Sequence, residues 1–347
     1  MEQDYPFLRA CFGKETDYTP VWLMRQAGRY MEEYRKIRSR VKFLTMCKTP
    51  DLAAEVTMQP VEKLGVDAAI IFADILLPLE GMGIDLEFAP GGGPVIHNPI
   101  KNRSDILKLR TIEPREDLSF VLEAIKIVRQ EIEGKIPLIG FSGAPFTLAS
   151  YIIEGGHSRN YIDTKSLIYQ DPSSWHQLME ALDQVIIDYL NSQIEAGAQA
   201  VQLFDSWVGC LSSKDYEEFV LPHSRAVIKQ LKKGIPVIHF ALNSAHLLEL
   251  IKKAGGDVIG VDWRINLADA WQRIGYDVSI QGNLDPVLLF APPEKIELEV
   301  KAILKSTEGR AGHIFNLGHG ILPKTPVENA IALIETVHRL SQKDGQN

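Results

Sequence analysis

Of the residues from Arg25 to Lys42, seven are basic: Arg25, Arg29, Arg35, Lys36, Arg38, Arg40 and Lys42, opposed only by Glu32 and Glu33. This local excess of positive charge stands on a chain of 347 residues whose formal net charge is −8. A cluster of that sign on an acidic protein suits a polyanionic small ligand. Five of the seven are arginine, whose planar fork grips carboxylates in a bidentate way that lysine does not match. A basic run is more commonly a solvated helix face, and Arg35, Lys36, Arg40 and Lys42 are read that way. Arg25 and Arg29 resist it, because they follow an apolar run directly and flank the flexible Ala27-Gly28 pair. Arg38 stands between the two readings. A second candidate is Asp74, a lone carboxylate at the end of the apolar stretch Ala68–Phe72. It suits stabilising a cationic intermediate, although a turn or helix-capping aspartate is equally common.

The elements that must position these residues follow from periodicity. Short apolar runs at 20–24, 68–72, 137–141, 200–204, 236–240, 258–261, 279–282 and 313–317 read as strands buried on both faces. Amphipathic stretches at 50–65, 120–134, 173–196, 215–233, 244–254, 293–307 and 326–342 read as helices. Thr49-Pro50-Asp51 marks a helix start and Lys63-Leu64-Gly65 a stop. Eight strands alternating with helices predict an α/β fold, a single (β/α)₈ TIM barrel. An open doubly wound sheet is the structural competitor. The segment Ile84–Asn98 alternates on either side of Pro90-Gly91-Gly92-Gly93 and predicts a small β-hairpin insertion after the second strand, its glycines a plain turn. No composition shift marks a linker, so residues 1–347 are expected to form one domain.

A barrel of this kind carries its site at the carboxyl ends of the strands. Arg25-Gln26-Ala27-Gly28-Arg29-Tyr30 follows the first strand, and the second runs into Asp74. Ser142-Gly143-Ala144-Pro145 follows the third and Asp205-Ser206-Trp207 the fourth. The sixth leads to Asp262, the seventh to Asn283 and Asp285, and the eighth to Gly318-His319-Gly320. Polar groups suited to binding thus gather at one rim.

Composition excludes several other classes. The acidic balance gives no footprint for nucleic acid or an anionic membrane. No apolar stretch is long enough to span a bilayer, and the first residues lack a secretory pattern. Three scattered cysteines, Cys11, Cys47 and Cys210, suit a reducing cytoplasm. No glycine-rich phosphate loop follows a strand, and no Cys-x-x-Cys-His points to haem.

The motifs narrow the reading. Pro20-Val21-Trp22-Leu23-Met24-Arg25-Gln26-Ala27-Gly28-Arg29 resembles the N-terminal signature of the uroporphyrinogen decarboxylases. Gly140-Phe141-Ser142-Gly143-Ala144-Pro145-Phe146-Thr147-Leu148, with Tyr151 and Glu154-Gly155-Gly156, resembles their second. Phe72-Ala73-Asp74-Ile75-Leu76, Gln202-Leu203-Phe204-Asp205-Ser206 and Asn316-Leu317-Gly318-His319-Gly320 match in the same order, so the resemblance runs from residue 20 to residue 320. It implies a homodimeric, cytoplasmic carboxy-lyase with neither metal nor organic cofactor. Its substrate would be uroporphyrinogen III, an octacarboxylate tetrapyrrole whose four acetates become methyls in coproporphyrinogen III. Arg25, Arg29 and Arg38 would grip substrate carboxylates, and the backbone of Arg25, Gln26, Ala27, Gly28 and Arg29 would wrap the same region. Asp74 would face the pyrrole N–H groups, and Tyr151, Ser206 and His319 would complete the lining.

The chemistry agrees with this resemblance. Loss of CO₂ from a pyrrole acetate leaves a poor carbanion unless the electron pair has a sink, and a protonated pyrrole supplies one without a cofactor. A fixed carboxylate stabilises the resulting cation, the more so where water is excluded. Asp74 is expected in that role. The proton donor stays open among Arg25, His319, which titrates in a suitable range, and a bound water. Two rivals define the alternatives. The related zinc-dependent corrinoid and thiol methyltransferases need a His-x-Cys pair and a late cysteine, whereas here the matching stretch is His239-Phe240-Ala241 and no cysteine follows Cys210. A non-catalytic tetrapyrrole carrier would need the arginines but not Asp74.

Overall fold

The structure, a computed structural model, describes residues 4–88 and 93–343. Its strands are β1 (Ala69–Ile70), β2 (Leu86–Phe88), β3 (Pro94–Ile96), β4 (Leu138–Gly143), β5 (Ala200–Asp205), β6 (Val237–Ala241), β7 (Val258–Gly260), β8 (Ser279–Leu284) and β9 (His313–Leu317). Seven form one parallel sheet in the order β1-β4-β5-β6-β7-β8-β9, while β2 and β3 form a separate antiparallel pair. The order follows the chain without reversal, so the sheet lacks the switch point of the doubly wound competitor. Residues of β4, β8 and β9 are buried at every position. That is why these strands read as unbroken apolar runs rather than alternating ones.

Most expected elements lie within a few residues of their observed limits. The helix expected over 50–65 spans Pro50–Leu64 and ends at Gly65, whose φ of 74° is the left-handed cap that glycine adopts without strain. The stretch 215–233 divides into Ser213–Phe219 and Leu221–Gln230. Pro222 accounts for the break, since it has no N–H to bond the carbonyl four residues back and its ring crowds that carbonyl, so it suits only the first turn of the second helix. Within Ile84–Asn98, β2 and β3 pair antiparallel with Leu86 opposite Ile96 and Glu87 opposite Val95. The glycine turn expected at Pro90-Gly91-Gly92 lies outside the described residues.

The first expected strand, Pro20–Met24, is the clear departure: it makes one parallel bridge, Val21 to Phe315, and no ladder. Pro20 has no N–H to give. The Val21 N–H donates to Asp67 Oδ2 (2.7 Å), the Leu23 N–H to Gln26 Oε1 (3.1 Å) and the Met24 N–H to Asn316 Oδ1 (3.0 Å). Side chains have taken the donors that a neighbouring strand would use. The segment still runs between the two ends of the sheet. On one side Phe315 N–H donates to Pro20 C=O (2.8 Å), and on the other Asp67 N–H donates to Val21 C=O (2.8 Å). Side chains inside the curl repeat the connection. Trp22 Nε1 donates to Gln281 Oε1 (3.0 Å), and Gln281 Nε2 donates to Gln202 Oε1 (3.1 Å). These residues come from the 20–24 segment, β8 and β5, so the sheet is curled tightly enough for side chains from well-separated strands to meet.

Asp67 holds the amino-terminal end of this closure. Besides Val21 N–H, its buried carboxylate accepts Tyr18 OH (2.8 Å) and His338 Nε2 of the C-terminal helix Val327–Ser341 (2.7 Å). Asp67→Ala leaves a buried backbone donor and two side chains unpartnered, so it is expected to lower unfolding free energy by about 2–4 kcal/mol. Urea denaturation measures this directly. A loss below about 0.5 kcal/mol, the level of a neutral surface change, would remove Asp67 from the closure.

Candidate active site

Directly after the closing segment the backbone turns sharply. Arg25 adopts φ 60°, a left-handed conformation uncommon for a residue with a side chain. Strain of this kind persists where the surroundings impose it, most often at functional positions. Here the clamps on Leu23 and Met24 are upstream, and Gln26 is fully buried immediately downstream. Gln26 Nε2 donates to Ala68 C=O (3.1 Å), and its own carbonyl accepts Tyr30 OH (2.6 Å). Its side chain therefore faces the core, not the rim. The N–H groups of Ala27, Gly28 and Arg29 engage no described partner, which leaves a short arc of backbone donors suited to an anion. Arg35, expected to be merely solvated, instead spans this loop: its Nη1 donates to the carbonyls of Arg29 (2.9 Å) and Tyr30 (2.7 Å).

The side chains of Arg25 and Arg29 are exposed, and neither forms an ion pair with a described residue. Half-buried Arg38, on the helix Glu32–Arg38, gives Nη1 to Val41 C=O (2.9 Å), its one hydrogen bond among the described residues. Three guanidinium groups thus retain most of their donors. Arg25 lies against Gly320, where a Cβ would come within 2.5 Å of Arg25 Cδ and 2.8 Å of Cγ. The glycine after His319 is therefore a space requirement set by Arg25.

Asp74 follows β1 and is half-buried. One oxygen accepts Leu76 N–H (2.9 Å), so the turn-forming role considered for it is real, but the other oxygen has no described partner. Burial pushes its pKa up to about 6, against the lowering effect of that hydrogen bond and of Arg25. The same Arg25 charge acts on His319, which burial first and Arg25 second push down to about 4. Burial and Arg25 thus favour its neutral imidazole, and its titration falls below the near-neutral range expected for it. Tyr151 is pushed up to about 12, by burial and then by Asp74. Arg29, Arg38 and Asp74 all influence Tyr34. Arg25, Arg29, Arg38, Asp74, Tyr151 and His319, drawn from distant parts of the chain, therefore share one electrostatic environment.

Ser206 is half-buried and its hydroxyl engages no described partner. It is placed by its neighbours. Asp205, fully buried at the end of β5, accepts Thr147 Oγ1 (2.8 Å), and Thr147 Oγ1 in turn accepts Trp207 N–H (3.3 Å). The second Asp205 oxygen is buried with no partner among the described residues, and burial pushes the pKa of the carboxyl up to about 7. Trp207 stacks on Tyr151 with centroids 3.8 Å apart and planes 30° apart. Trp207 and Asp205 received no site role from the sequence; their place after the fourth expected strand was the available signal. Aromatic residues at the strand ends were also missed. Phe141, Phe204 and Phe240 meet edge-to-face at 5.6 and 6.0 Å, and Phe240 lies 6.5 Å from His319.

Together these features define an α/β protein with a cationic, aromatic-lined candidate site at the carboxyl ends of a curled parallel sheet. Its likeness to a methyltransferase from Methanosarcina mazei is one of fold: the TM-score is 0.80 at 22% identity, covering 96% of this chain and 97% of that one. A B12-independent methionine synthase from Shewanella sp. W3-18-1 is a more distant neighbour, with TM-score 0.56 and 11% identity over 84% and 87% of the two chains. Sequence is more specific. The uroporphyrinogen decarboxylase family pattern matches residues 2–340. The uroporphyrinogen decarboxylase of Carboxydothermus hydrogenoformans is 63% identical over 336 residues, 96% of each chain. That of Sorangium cellulosum is 57% identical, again over 96% of each. That of Geobacter metallireducens is 55% identical over 97% of this chain and 99% of its own. The chain belongs to the uroporphyrinogen decarboxylase family.

Gly320→Ala tests whether the pose of Arg25 matters. The added methyl group must displace the arginine stem, and a shift of this size is expected to lower kcat/KM by about tenfold or more. Thermal unfolding should change little, because the neighbour that yields is an exposed side chain. Wild-type kcat/KM in the folded variant would show that the observed pose of Arg25 is not used.

Proposed function

We propose that this chain is a cofactor-independent carboxy-lyase that converts uroporphyrinogen III to coproporphyrinogen III by removing four acetate carboxyl groups as CO₂. Family membership supports the reaction. The observation that carries the site assignment is the Asp74 carboxylate at a strand end, one oxygen of which has no partner among the described residues, within the electrostatic reach of Arg25, which has no described ion-pair partner.

In the proposed sequence, a proton added to the ring carbon beside the acetate makes a cation spread onto the pyrrole nitrogen. The bond to the carboxylate then breaks, its electron pair enters the ring system, and CO₂ leaves an exocyclic methylene. A second proton converts the methylene to methyl, and loss of the first proton restores the pyrrole. Each cycle consumes one proton overall. Asp74 accepts pyrrole N–H groups and stabilises the cation, while Arg25, Arg29, Arg38 and the free N–H groups of Ala27 and Gly28 bind spectator carboxylates. Gln26 contributes by fixing the loop. Tyr151 and Ser206 supply hydroxyls, and His319 supplies a neutral imidazole beside Arg25. Arg25 fits a role in placing the acidic proton rather than losing its own, since a guanidinium is too weak an acid.

The finer architecture belongs to the same proposal. The 20–24 segment serves as the first of the eight staves of a closed (β/α)₈ barrel, with β2 and β3 as a hairpin inserted after the second stave, in one domain over residues 1–347. A homodimer and a cytoplasmic location are proposed from family membership. No described helix is long and apolar enough to cross a membrane.

Anaerobic incubation with uroporphyrinogen III, followed by separation of products by carboxyl number, is expected to give seven- through four-carboxyl species without added cofactor. No conversion by folded protein would overturn the assignment. Asp74→Asn should lower kcat/KM by about 10²–10³, the usual cost of removing a preorganised charge-stabilising group. Retention of normal turnover would instead leave Asp74 as a turn residue. The ionised form is the active one, so activity should be present above pH 6 and lost as pH falls through about 6. Arg25 holds the Asp74 pKa down. In Arg25→Gln the acid limb of the residual activity should therefore move to higher pH; a limb that stays in place would uncouple the two residues.

A further inference from the structure

The residues after β7 form a built cation site that none of the motif residues includes. Asp262 is almost completely buried, and its carboxylate accepts three donors. Oδ1 takes the Arg264 N–H (2.9 Å), and Oδ2 takes both Arg264 Nη1 (2.9 Å) and the Asn243 N–H. The Asp262 carbonyl accepts Asn283 Nδ2 (2.9 Å), which anchors the same turn from β8. The Arg264 guanidinium also lies 4.2 Å from the centroid of the Trp263 ring. Arginine on a surface loop ordinarily samples many rotamers. Here one face is stacked and one edge is pinned by a carboxylate whose own side chain is 2% exposed, while the arginine side chain remains 43% exposed. Of its five N–H donors, one has a described partner, so a held, open guanidinium edge is left for an incoming carboxylate.

Its position places it at the candidate site. A Cβ at Gly318 would meet Trp263 N at 2.6 Å and Asp262 Cα at 3.0 Å, so the turn after β7 packs directly against the residue before His319. After burial, His319 feels Arg25, Asp262 and Arg264 in that order, the two arginines favouring its neutral form and Asp262 opposing them. Arg25 follows the segment bonded to β9 on one side, and Arg264 follows β7, two strands away on the other. His319 therefore lies between a clamp already assigned to substrate and a second guanidinium of the same chemistry.

We propose that Arg264 is a substrate-binding residue that grips a carboxylate of the tetrapyrrole on the wall opposite Arg25, with Asp262 as its positioning residue. The proposal rests on the decarboxylase reading and extends it. An octacarboxylate substrate carries more anionic groups than Arg25, Arg29 and Arg38 can each engage in a bidentate pair, and a cation across the site lets the macrocycle be held from two sides. Asp262 does not cancel this function. Its charge is consumed by three short-range donors, whereas the outward edge of the guanidinium keeps its directional N–H groups.

Two readouts separate this inference from the reading beneath it. The first is binding of uroporphyrin III, a non-reacting octacarboxylate, followed by tryptophan quenching in wild type, Arg264→Gln and Arg264→Lys. Loss of a charge-assisted pair is expected to weaken binding about tenfold or more in Arg264→Gln, with Arg264→Lys intermediate because the charge stays and the fork is lost. The second is steady-state turnover of uroporphyrinogen III, where the loss should fall mainly on KM, as for an interaction made equally in ground and transition states. Equal affinity in all three proteins, or a loss confined to thermal stability, would overturn the role of Arg264 and show the Asp262–Arg264 pair to be a loop brace. If Arg264→Gln fails to fold, Arg264→Lys decides by the same comparison with wild type. A wild type that binds uroporphyrin but turns over no uroporphyrinogen would sink the decarboxylase reading while leaving the binding comparison intact.

Discussion

The segment from Pro20 to Met24 must satisfy its backbone polar groups between the two ends of a parallel sheet, and the rest of the site depends on how it does so. Each buried N–H and C=O there needs a partner, because an unpaired one costs about 1–3 kcal/mol. A regular strand would find those partners in its neighbours. Here Asp67, Gln26 and Asn316 supply three of them from side chains, while Pro20, Val21 and Trp22 share backbone bonds with Asp67 and Phe315. Side-chain capping ends the segment at a defined residue, and the chain leaves it in the strained turn at Arg25. A strand could slip or fray by a residue. A segment held by three individually placed acceptors cannot do so without orphaning them, so the height of the 25–29 loop above the sheet is set.

That arrangement also explains which parts of the molecule were legible beforehand. Helices with an amphipathic period, and strands buried on both faces, announce themselves through composition, and β9 was located residue for residue at 313–317. Pro145–Glu154 was not, because eight of its ten residues are buried and no polar face remains to reveal a helical period. Leu267–Ile274 is short, and its start depends on Asn266 accepting the Ala268 N–H, a capping signal that was there to be read. Pro20–Met24 looks like a strand because its apolar content is that of one. The acceptors that replace its ladder lie 46 and 292 positions away, at Asp67 and Asn316, and no local pattern records them.

The site residues divide in the same way. Charge excess and position after a strand pointed to Arg25, Arg29 and Asp74, and the structure places them in one electrostatic neighbourhood. Motif membership is less discriminating, because a motif includes the residues that hold a site as well as those that use it. Gln26 and Asn316 stand within the matching stretches, yet both serve the closing segment with their side chains. Asp205 and Thr147 serve Trp207. Arg35 looked like a solvated basic residue and instead bonds two loop carbonyls, since its long side chain can reach back over a turn that composition alone does not reveal.

The charges at the rim are then best understood as a set of unsatisfied interactions held in place by satisfied ones. Asp74 is pushed toward its neutral form by burial, His319 is kept neutral by burial and by Arg25, and Arg25 and Arg29 lack ion-pair partners among the described residues. Each is anchored at its base: Arg25 follows a clamped strand end, one Asp74 oxygen is held by the Leu76 N–H, and His319 stands between glycines packed against Arg25 and Trp263. The proposed substrate, a polycarboxylate ring with inward N–H groups, would supply both missing signs together, anions outside for the arginines and donors inside for Asp74. On that proposal carboxylate and pyrrole recognition would be coupled, because each ligand group that docks withdraws water from its neighbours and strengthens the remaining charge interactions. In the proposed reaction the cation formed in the ring would meet a carboxylate already aligned by the Leu76 N–H, which would leave little reorganisation for the reacting step itself.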